Sequence, residues 1–239
     1  MEKPVLAAEA LTKRFEGITA VNCVSLAVEA GEVLTIIGPN GAGKTTFFNL
    51  ITSHIRPDSG KVYFMGRDVT GRRPSQLARM GLVRTFQIVR PLRNLTVLEN
   101  VQVGAGIVGT DTDEVLEVLS LVGLDSKSSL PAGLLTHGEQ KKLEVARALA
   151  MRPRALLLDE PLGGLTYSEA EEVLDVIKQV NRRGTTVVIA EHRLREVFRV
   201  TKRVVVMDQG RVIYDGPPES VSKSTEVVKA YLGGRALEI

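Results

Sequence analysis

Residues Gly38, Pro39, Asn40, Gly41, Ala42, Gly43, Lys44 and Thr45 meet the spacing G-x-x-x-x-G-K-[ST] in full. Each residue type at its place has a chemical reason. Glycines let successive backbone N–H groups curl around an oxyanion without Cβ interference. A helix starting directly behind them adds the positive end of its dipole. Lys44 has the reach to contact β- and γ-phosphates, Thr45 supplies a hydroxyl for Mg²⁺, and Thr46 continues the same turn. A chance match in a chain of this composition has odds of roughly 1 in 100. By itself the loop leaves kinases, GTPases and many ATPases open.

A second acidic element lies downstream, where the apolar run Ala155, Leu156, Leu157, Leu158 ends in Asp159 and Glu160, followed by Pro161. Ligands of open α/β sheets bind off the carboxyl ends of the strands, where these acids would lie. Asp159 can then hold Mg²⁺, directly or through water, while Glu160 polarises an attacking water. Successive residues at a strand end point in different directions, so the two carboxylates can take different roles. Standing alone the pair would read as a solvated strand end; paired with the phosphate loop it reads as catalytic.

Both elements need a sheet to hold them. Residues 33–37 form a short, almost wholly apolar run suited to a buried parallel strand, and a helical pattern follows over 44–53. Further on, helix 138–150, strand 155–158, helix 168–181, strand 186–190 and helix 194–200 alternate. That alternation implies a parallel, doubly wound α/β core. Segments 5–11 and 21–28 read as strands of an edge sheet, 61–65 as another strand, and 204–207 with 211–214 as a terminal hairpin. Between them the texture changes: 96–103 and 113–122 are helical, the second with Val115, Leu116, Val118, Leu119 and Val122 as one apolar stripe. This stretch reads as a helical lobe inserted into the larger one.

Composition sets the outer limits. The 239 residues are 44% apolar and 25% charged, without Trp, as in an ordinary globular domain whose core is Val, Leu, Ile and Ala. A net charge of +3 is too small to argue for nucleic acid. Cys23 is the single cysteine, so no intramolecular disulfide forms; within an apolar run it is expected to be a buried small hydrophobe. No secretory h-region and no run of ~18 apolar residues is found, so a membrane role is expected to act through partners. Arg72, Arg73, Arg79, Arg84, Arg90 and Arg93 form a basic region expected to be a solvated face, with acidic loops or anionic headgroups as the alternative.

The remaining signals resemble one superfamily, the ATP-binding cassettes of ABC transporters. Its distinguishing mark is a Leu-Ser-Gly-Gly-Gln segment before a helix, and Leu135, Thr136, His137, Gly138 and Glu139 occupy that place in variant form. A hydroxyl and a glycine survive there, at a helix start able to meet a γ-phosphate. Thr136 and Glu139 also fit a capping box, and both readings can hold at once. Gln87 matches the family's glutamine that contacts Mg²⁺ or the attacking water and joins the lobes. His192, after an apolar strand, matches the switch histidine that contacts the γ-phosphate. Phe15 sits where the family stacks an aromatic on adenine, with core packing as the rival reading. One departure stands out: Gly163, Gly164, Leu165 and Thr166 lack the aspartate that the family's Ser-Gly-Leu-Asp loop uses between two nucleotide sites.

The resemblance covers about 5–233. It implies a P-loop NTPase core with a mostly parallel sheet, an antiparallel β subdomain and a small inserted helical lobe. It implies a single nucleotide-binding domain over 1–239, with a core lobe at about 1–87 and 138–239 and a helical lobe at about 88–137. The activity implied is ATP hydrolysis with Mg²⁺, coupled to transport through separate integral membrane permease subunits. A second ATP-binding subunit, identical or not, would complete each site, and a separate solute-binding protein is implied. The chain would then sit on the inner, cytoplasmic face of a membrane. Residues 81–87, 95–100 and 230–233 are most similar to subunits for branched-chain or other hydrophobic amino acids; related subunits serve urea and lipopolysaccharide. A soluble cassette acting on DNA, ribosomes or cofactor assembly is the other class. No heptad array lies in the ~90 residues between the two nucleotide motifs, and a single cassette is present, which disfavours it. A small-molecule kinase would leave His192 and 135–139 unexplained.

Overall fold

The computed structural model describes residues 3–87 and 90–232. Residues 88–89, where the helical insertion is expected to begin, and Gly233, which closes the 230–233 resemblance, lie outside the described residues.

The first strands, β1 (Leu6–Phe15) and β2 (Ile18–Val28), form an antiparallel hairpin. Strand β3 (Val33–Ile37) then enters the interior, and the phosphate loop leads from it into α1 (Lys44–Ile51). Strands β4 (Ser59–Phe64) and β5 (Arg67–Asp68) return to the first sheet, which has the order β2-β1-β4-β5. Helix α2 (Pro74–Met80) leads to β6 (Leu82–Arg84), and α3 (Val97–Ala105), α4 (Thr112–Leu121) and α5 (His137–Leu149) follow. The chain continues through β7 (Ala155–Asp159), α6 (Tyr167–Arg182), β8 (Thr186–Ala190) and α7 (Leu194–Val197). It closes with β9 (Arg203–Asp208), β10 (Arg211–Gly216) and α8 (Thr225–Leu232).

The second sheet has the order β10-β9-β3-β8-β7-β6 and is parallel except for the β9–β10 hairpin. Every residue of β3, β7 and β8 is buried, which explains why these strands read as unbroken apolar runs. Alternate side chains serve opposite faces. Ala155 and Leu157 of β7 pack with α1 and the first sheet, while Leu156 and Leu158 pack with α3, α4, α5 and α6. On α6 the buried set Ala170, Val173, Leu174, Val176, Ile177 and Val180 makes the helical stripe that covers this second face.

Helix α2 was not distinguished in the sequence, although Pro74 at its first turn and left-handed Gly81 after its last are helix start and stop signals. Helix α7 stops at Val197 rather than reaching 200. On α4 the stripe is narrower than expected: Val115 and Leu119 are buried, but Leu116 is exposed. Cys23 is also exposed, against expectation. Pairing of β1 with β2 slips between Leu11↔Val24 and Lys13↔Val21, placing an extra residue on β2, and Cys23 takes φ 53° within that bulge. The bulge turns the thiol outward.

Three threonines cap three helices in the same way. Thr96, Thr136 and Thr166 each accept a hydrogen bond from the N–H of the glutamate three residues on, which reaches back to the threonine N–H. The residue at the place of the family's aspartate therefore has a structural task that threonine performs: it starts α6. In urea unfolding, Thr166→Ala should lose about 1 kcal/mol, whereas Thr166→Asp, also a good cap, should stay within about 0.5 kcal/mol of the parent. Equal losses in both would contradict the cap as the reason for this residue.

Candidate functional site

The phosphate loop is held by tight backbone approaches. Gly38 has φ 155° and Gly43 φ 101°; a Cβ would lie 2.1 Å from the Met207 carbonyl oxygen at the first and 2.3 Å from that of Ala20 at the second. Only glycine fits either place. The loop is fastened further by Ala42 N–H to Pro39 O (3.1 Å) and by Gly210 N–H to Ala42 O (3.0 Å). Helix α1 starts on Gly43 with no side-chain cap, unlike the threonine-capped helices, so its first N–H groups are left for an anion. Lys44 Nζ folds over the loop, donating to Gly38 O (2.6 Å) and Pro39 O (3.1 Å). Burial pushes the Lys44 ammonium below its ordinary value, and the carboxylates of Glu160, Asp159 and Glu191 oppose that shift.

These carboxylates arrive on neighbouring strands. Asp159 ends β7, paired with Ala190 of β8, and the Glu160 N–H donates to the Ala190 carbonyl (2.9 Å). Glu160 adopts φ 48°, a left-handed conformation that costs a residue with a Cβ about 1–3 kcal/mol and recurs where a side chain must be aimed. Its Oε2 accepts a hydrogen bond from Gln87 Nε2 (2.8 Å). Thr45, Gln87 and Asp159 line one cleft of about 550 Å³ together with Arg84 and Phe86. Thus Lys44, Thr45, Gln87, Asp159 and Glu160, 116 positions apart at the extremes (160 − 44), come together.

His192 follows β8, its side chain exposed and its N–H donated to the Oε2 of Glu191 (2.7 Å). Glu191 is fully buried and also accepts from the N–H groups of Leu162 (2.9 Å) and Arg193 (3.1 Å). Arg193 in turn donates to the carbonyls of Leu162 (3.1 Å) and Leu165 (2.9 Å). The segment after β7 is thereby tied to the backbone carrying His192. Sequence reasoning passed over Glu191 and Arg193; a charge flanked by an apolar strand and a histidine was the available signal.

Arg84 was also misjudged. Grouped with a solvated basic face, it is instead buried, its side chain 4% exposed against 3% for Asp159, and its Nη2 lies 2.7 Å from Asp159 Oδ2. Its Nη1 donates to Asn49 Oδ1 (2.7 Å) and Thr52 Oγ1 (3.3 Å), and its guanidinium lies 5.5 Å and 5.3 Å from the rings of Phe48 and Phe86. Arginine is suited to this place by its weak hydration and planar, stackable fork.

Two other expected site elements lie apart from this group. Phe15 ends β1 opposite Ile18, 44% exposed with Lys13 Nζ 5.5 Å from its ring, so it is not core. Ala20, two residues past Ile18, is the residue pressed against Gly43. The 135–139 segment caps α5, and among the described residues no hydrogen bond joins it to the phosphate loop. Glu139 pairs with Lys127, which holds its carboxyl below the usual range. His137 Nε2 lies 3.3 Å from Gly163 O, and a Cβ on Gly138 would lie 2.2 Å from Glu169 Oε1, so α5 begins flush against α6.

A glycine-lined loop behind a buried strand, with a lysine folded over it and two acids at the end of the next strand but one in the same sheet, defines a P-loop nucleotide-binding ATPase. Comparison with known proteins narrows the class. A profile of the ABC transporter family matches residues 21–163. The chain is 37% identical to the high-affinity branched-chain amino acid transport ATP-binding protein LivG of Salmonella typhimurium, over 98% of this chain and 99% of that one. Among solved structures, an ATP-binding cassette of an ABC transporter in its ADP conformation superposes with a TM-score of 0.88 at 32% identity, covering 96% of this chain and 98% of that one. A dimeric bacterial ABC transporter cassette gives a TM-score of 0.81 at 26% identity, over 89% and 98%. The chain belongs to the ABC transporter family and is an ATP-binding, ATP-hydrolysing subunit. Among the described residues no helix is long and apolar enough to cross a membrane.

Removing Arg84 would leave the buried Asp159 carboxylate without its cation. Arg84→Met is expected to cost roughly 3–5 kcal/mol of unfolding free energy, and the double variant with Asp159→Asn less than that. A loss below about 1 kcal/mol in the single variant would contradict the pairing.

Proposed function

We propose that this chain energises uptake of branched-chain or other hydrophobic amino acids by hydrolysing ATP, working with integral membrane permease subunits. The cargo reading rests on similarity to LivG at 37% identity over nearly the full length of both chains. A separate solute-binding protein and a place on the inner face of the membrane follow from the same likeness.

The observation that carries the chemistry is the Gln87–Glu160 hydrogen bond at the carboxyl end of β7, beside Asp159 and within the electrostatic reach of Lys44. Glu160 is the group that orients and polarises the attacking water, and Gln87 fixes its carboxylate. Lys44, with backbone N–H groups of the loop and of the first turn of α1, binds the phosphates; its lowered proton affinity is restored once it faces phosphate oxygens. Phe15, exposed at the hairpin end, offers its face to the adenine ring. His192, held by Glu191 through the backbone, serves the γ-phosphate.

The donor set suits Mg²⁺. Asp159 contributes one buried carboxylate and Thr45 a hydroxyl on the same cleft, and among the described residues no group of three His, Cys, Asp or Glu gathers to form an all-protein cage. Thr45, Gln87 and Asp159 would hold the ion, which when bound neutralises charge on the phosphate oxygens.

The 135–139 segment serves a second copy or a homologous subunit. That no hydrogen bond among the described residues joins it to this chain's own phosphate loop supports that reading, as does the dimeric arrangement of the similar cassette. Thr136 and the first N–H groups of α5 would then face the partner subunit's γ-phosphate, and its release would reopen the pair.

Glu160→Gln should keep Mg·ATP affinity within about threefold by calorimetry while turnover falls by at least ~10²-fold. Wild-type hydrolysis in that variant would remove the role given to Glu160. Lys44→Ala should lose measurable nucleotide binding in the same calorimeter, and unchanged affinity would contradict the role given to Lys44.

A further inference from the structure

Helix α5 carries a charge where stability alone would favour an apolar residue. Lys141 is 4% exposed, among Leu143, Val145 and Ala146 on a helix packed against the sheet and α3. Burying an ammonium is costly unless its protons are satisfied, and apolar replacements of buried charges commonly stabilise a fold. Its Nζ reaches two acceptors from distant parts of the chain: the backbone carbonyl of Gln87 (3.2 Å) and that of Glu160 (3.1 Å). One helical turn on, Glu144 Oε1 accepts from the Phe86 N–H (2.7 Å). Burial raises the Glu144 carboxyl, and this N–H together with the charges of Lys141 and Arg147 opposes the rise.

The contacts form a closed circuit. Gln87 and Glu160 are joined directly by their side chains, and Lys141 joins their backbones behind that bond. Glu144 fixes the N–H of the Thr85–Phe86 peptide and Lys141 the carbonyl of Gln87, so α5 holds the backbone on both sides of the 86–87 link. Glu160 also sits in a left-handed conformation that needs support, and among the described residues its carbonyl has only the Gly163 N–H (3.2 Å) as a further partner. The helix that ties these parts together is the one whose first turn presents Thr136, His137 and Gly138.

We propose that Lys141 is a positioning residue for ATP hydrolysis: its buried ammonium aligns Gln87 and Glu160 with each other and with the start of α5. The inference rests on the role given to Glu160 above. It assigns Lys141 no contact with nucleotide, so its loss should act on turnover and leave binding in place. It also makes the geometry of the hydrolytic pair depend on the position of α5, so that force on that helix reaches the chain's own carboxylate.

The test uses the full chain and Mg·ATP. Lys141→Met keeps the length and apolar stem while removing the three N–H donors. Its Mg·ATP affinity should stay within about threefold of wild type while kcat falls at least ~10-fold, as small misplacements of catalytic groups do. Lys141→Arg, able to donate to both carbonyls, should restore kcat to within about threefold. Unchanged kcat in Lys141→Met overturns the inference, as does a parallel loss of affinity and turnover, or a folded Lys141→Arg that recovers nothing. Should Lys141→Met fail to unfold cooperatively, Lys141→Gln and Lys141→Arg are compared instead. Arginine above glutamine in kcat at equal affinity supports the inference, and equality overturns it. Glu160→Gln runs alongside: wild-type turnover there removes the role of Glu160 and the inference with it. An inactive Glu160→Gln beside a fully active Lys141→Met removes the inference alone.

Discussion

The arrangement depends on the burial of three parallel strands. Strands β3, β7 and β8 bury all of their residues, so apart from the small hydroxyls of Thr35 and Thr186 and the terminal Asp159 nothing polar is carried along them. Chemistry is confined to the places where they end. There the phosphate loop, the Asp159–Glu160 pair and the Glu191–His192 pair emerge side by side, because β3 pairs with β8 and β8 with β7. The parallel register brings three separate sequence segments to one edge. Hydrophobic burial thus sets the position of these candidate groups as well as the stability of the fold.

Around that edge the buried charges are neutralised one by one. Arg84 answers Asp159, three backbone N–H groups answer Glu191, and two carbonyls receive the protons of Lys141. Each of these groups would be expensive alone and is tolerable in its network. Their partners are mostly backbone atoms of the loops that follow β7 and β8, so the networks fix loop conformation. Glu191 and Arg193 together hold 162–165, the segment in which the family's aspartate is absent, and His137 meets the same segment at Gly163. Threonine at 166 caps α6 while these contacts secure the loop.

The phosphate loop and the acidic pair were legible because their chemistry demands fixed types at fixed spacing. The five residues of β8 and the strand nature of β7 were legible for a related reason: unbroken apolar runs of that length bounded by charge have few other uses. Arg84, Glu191, Arg193 and Lys141 were not, because a charged residue in a sequence shows its charge and not what lies across from it. Arg84 meets Asp159 from 75 positions away, and Lys141 meets Gln87 from 54. Cys23 failed similarly, since the bulge that exposes it is a property of strand pairing. Thr166 was half legible: the Thr-x-x-Glu spacing of a cap was present, yet comparison with an aspartate made it read as a loss.

In the proposed arrangement each chain is half of two sites, with its sheet edge holding one nucleotide and the start of α5 reaching another. The most direct measurement is sedimentation velocity of Glu160→Gln, with nucleotide content determined on the sedimenting species. With Mg·ATP the chain should sediment as a dimer carrying two ATP molecules, and as a monomer with Mg·ADP. A monomer saturated with ATP under the same conditions would contradict it.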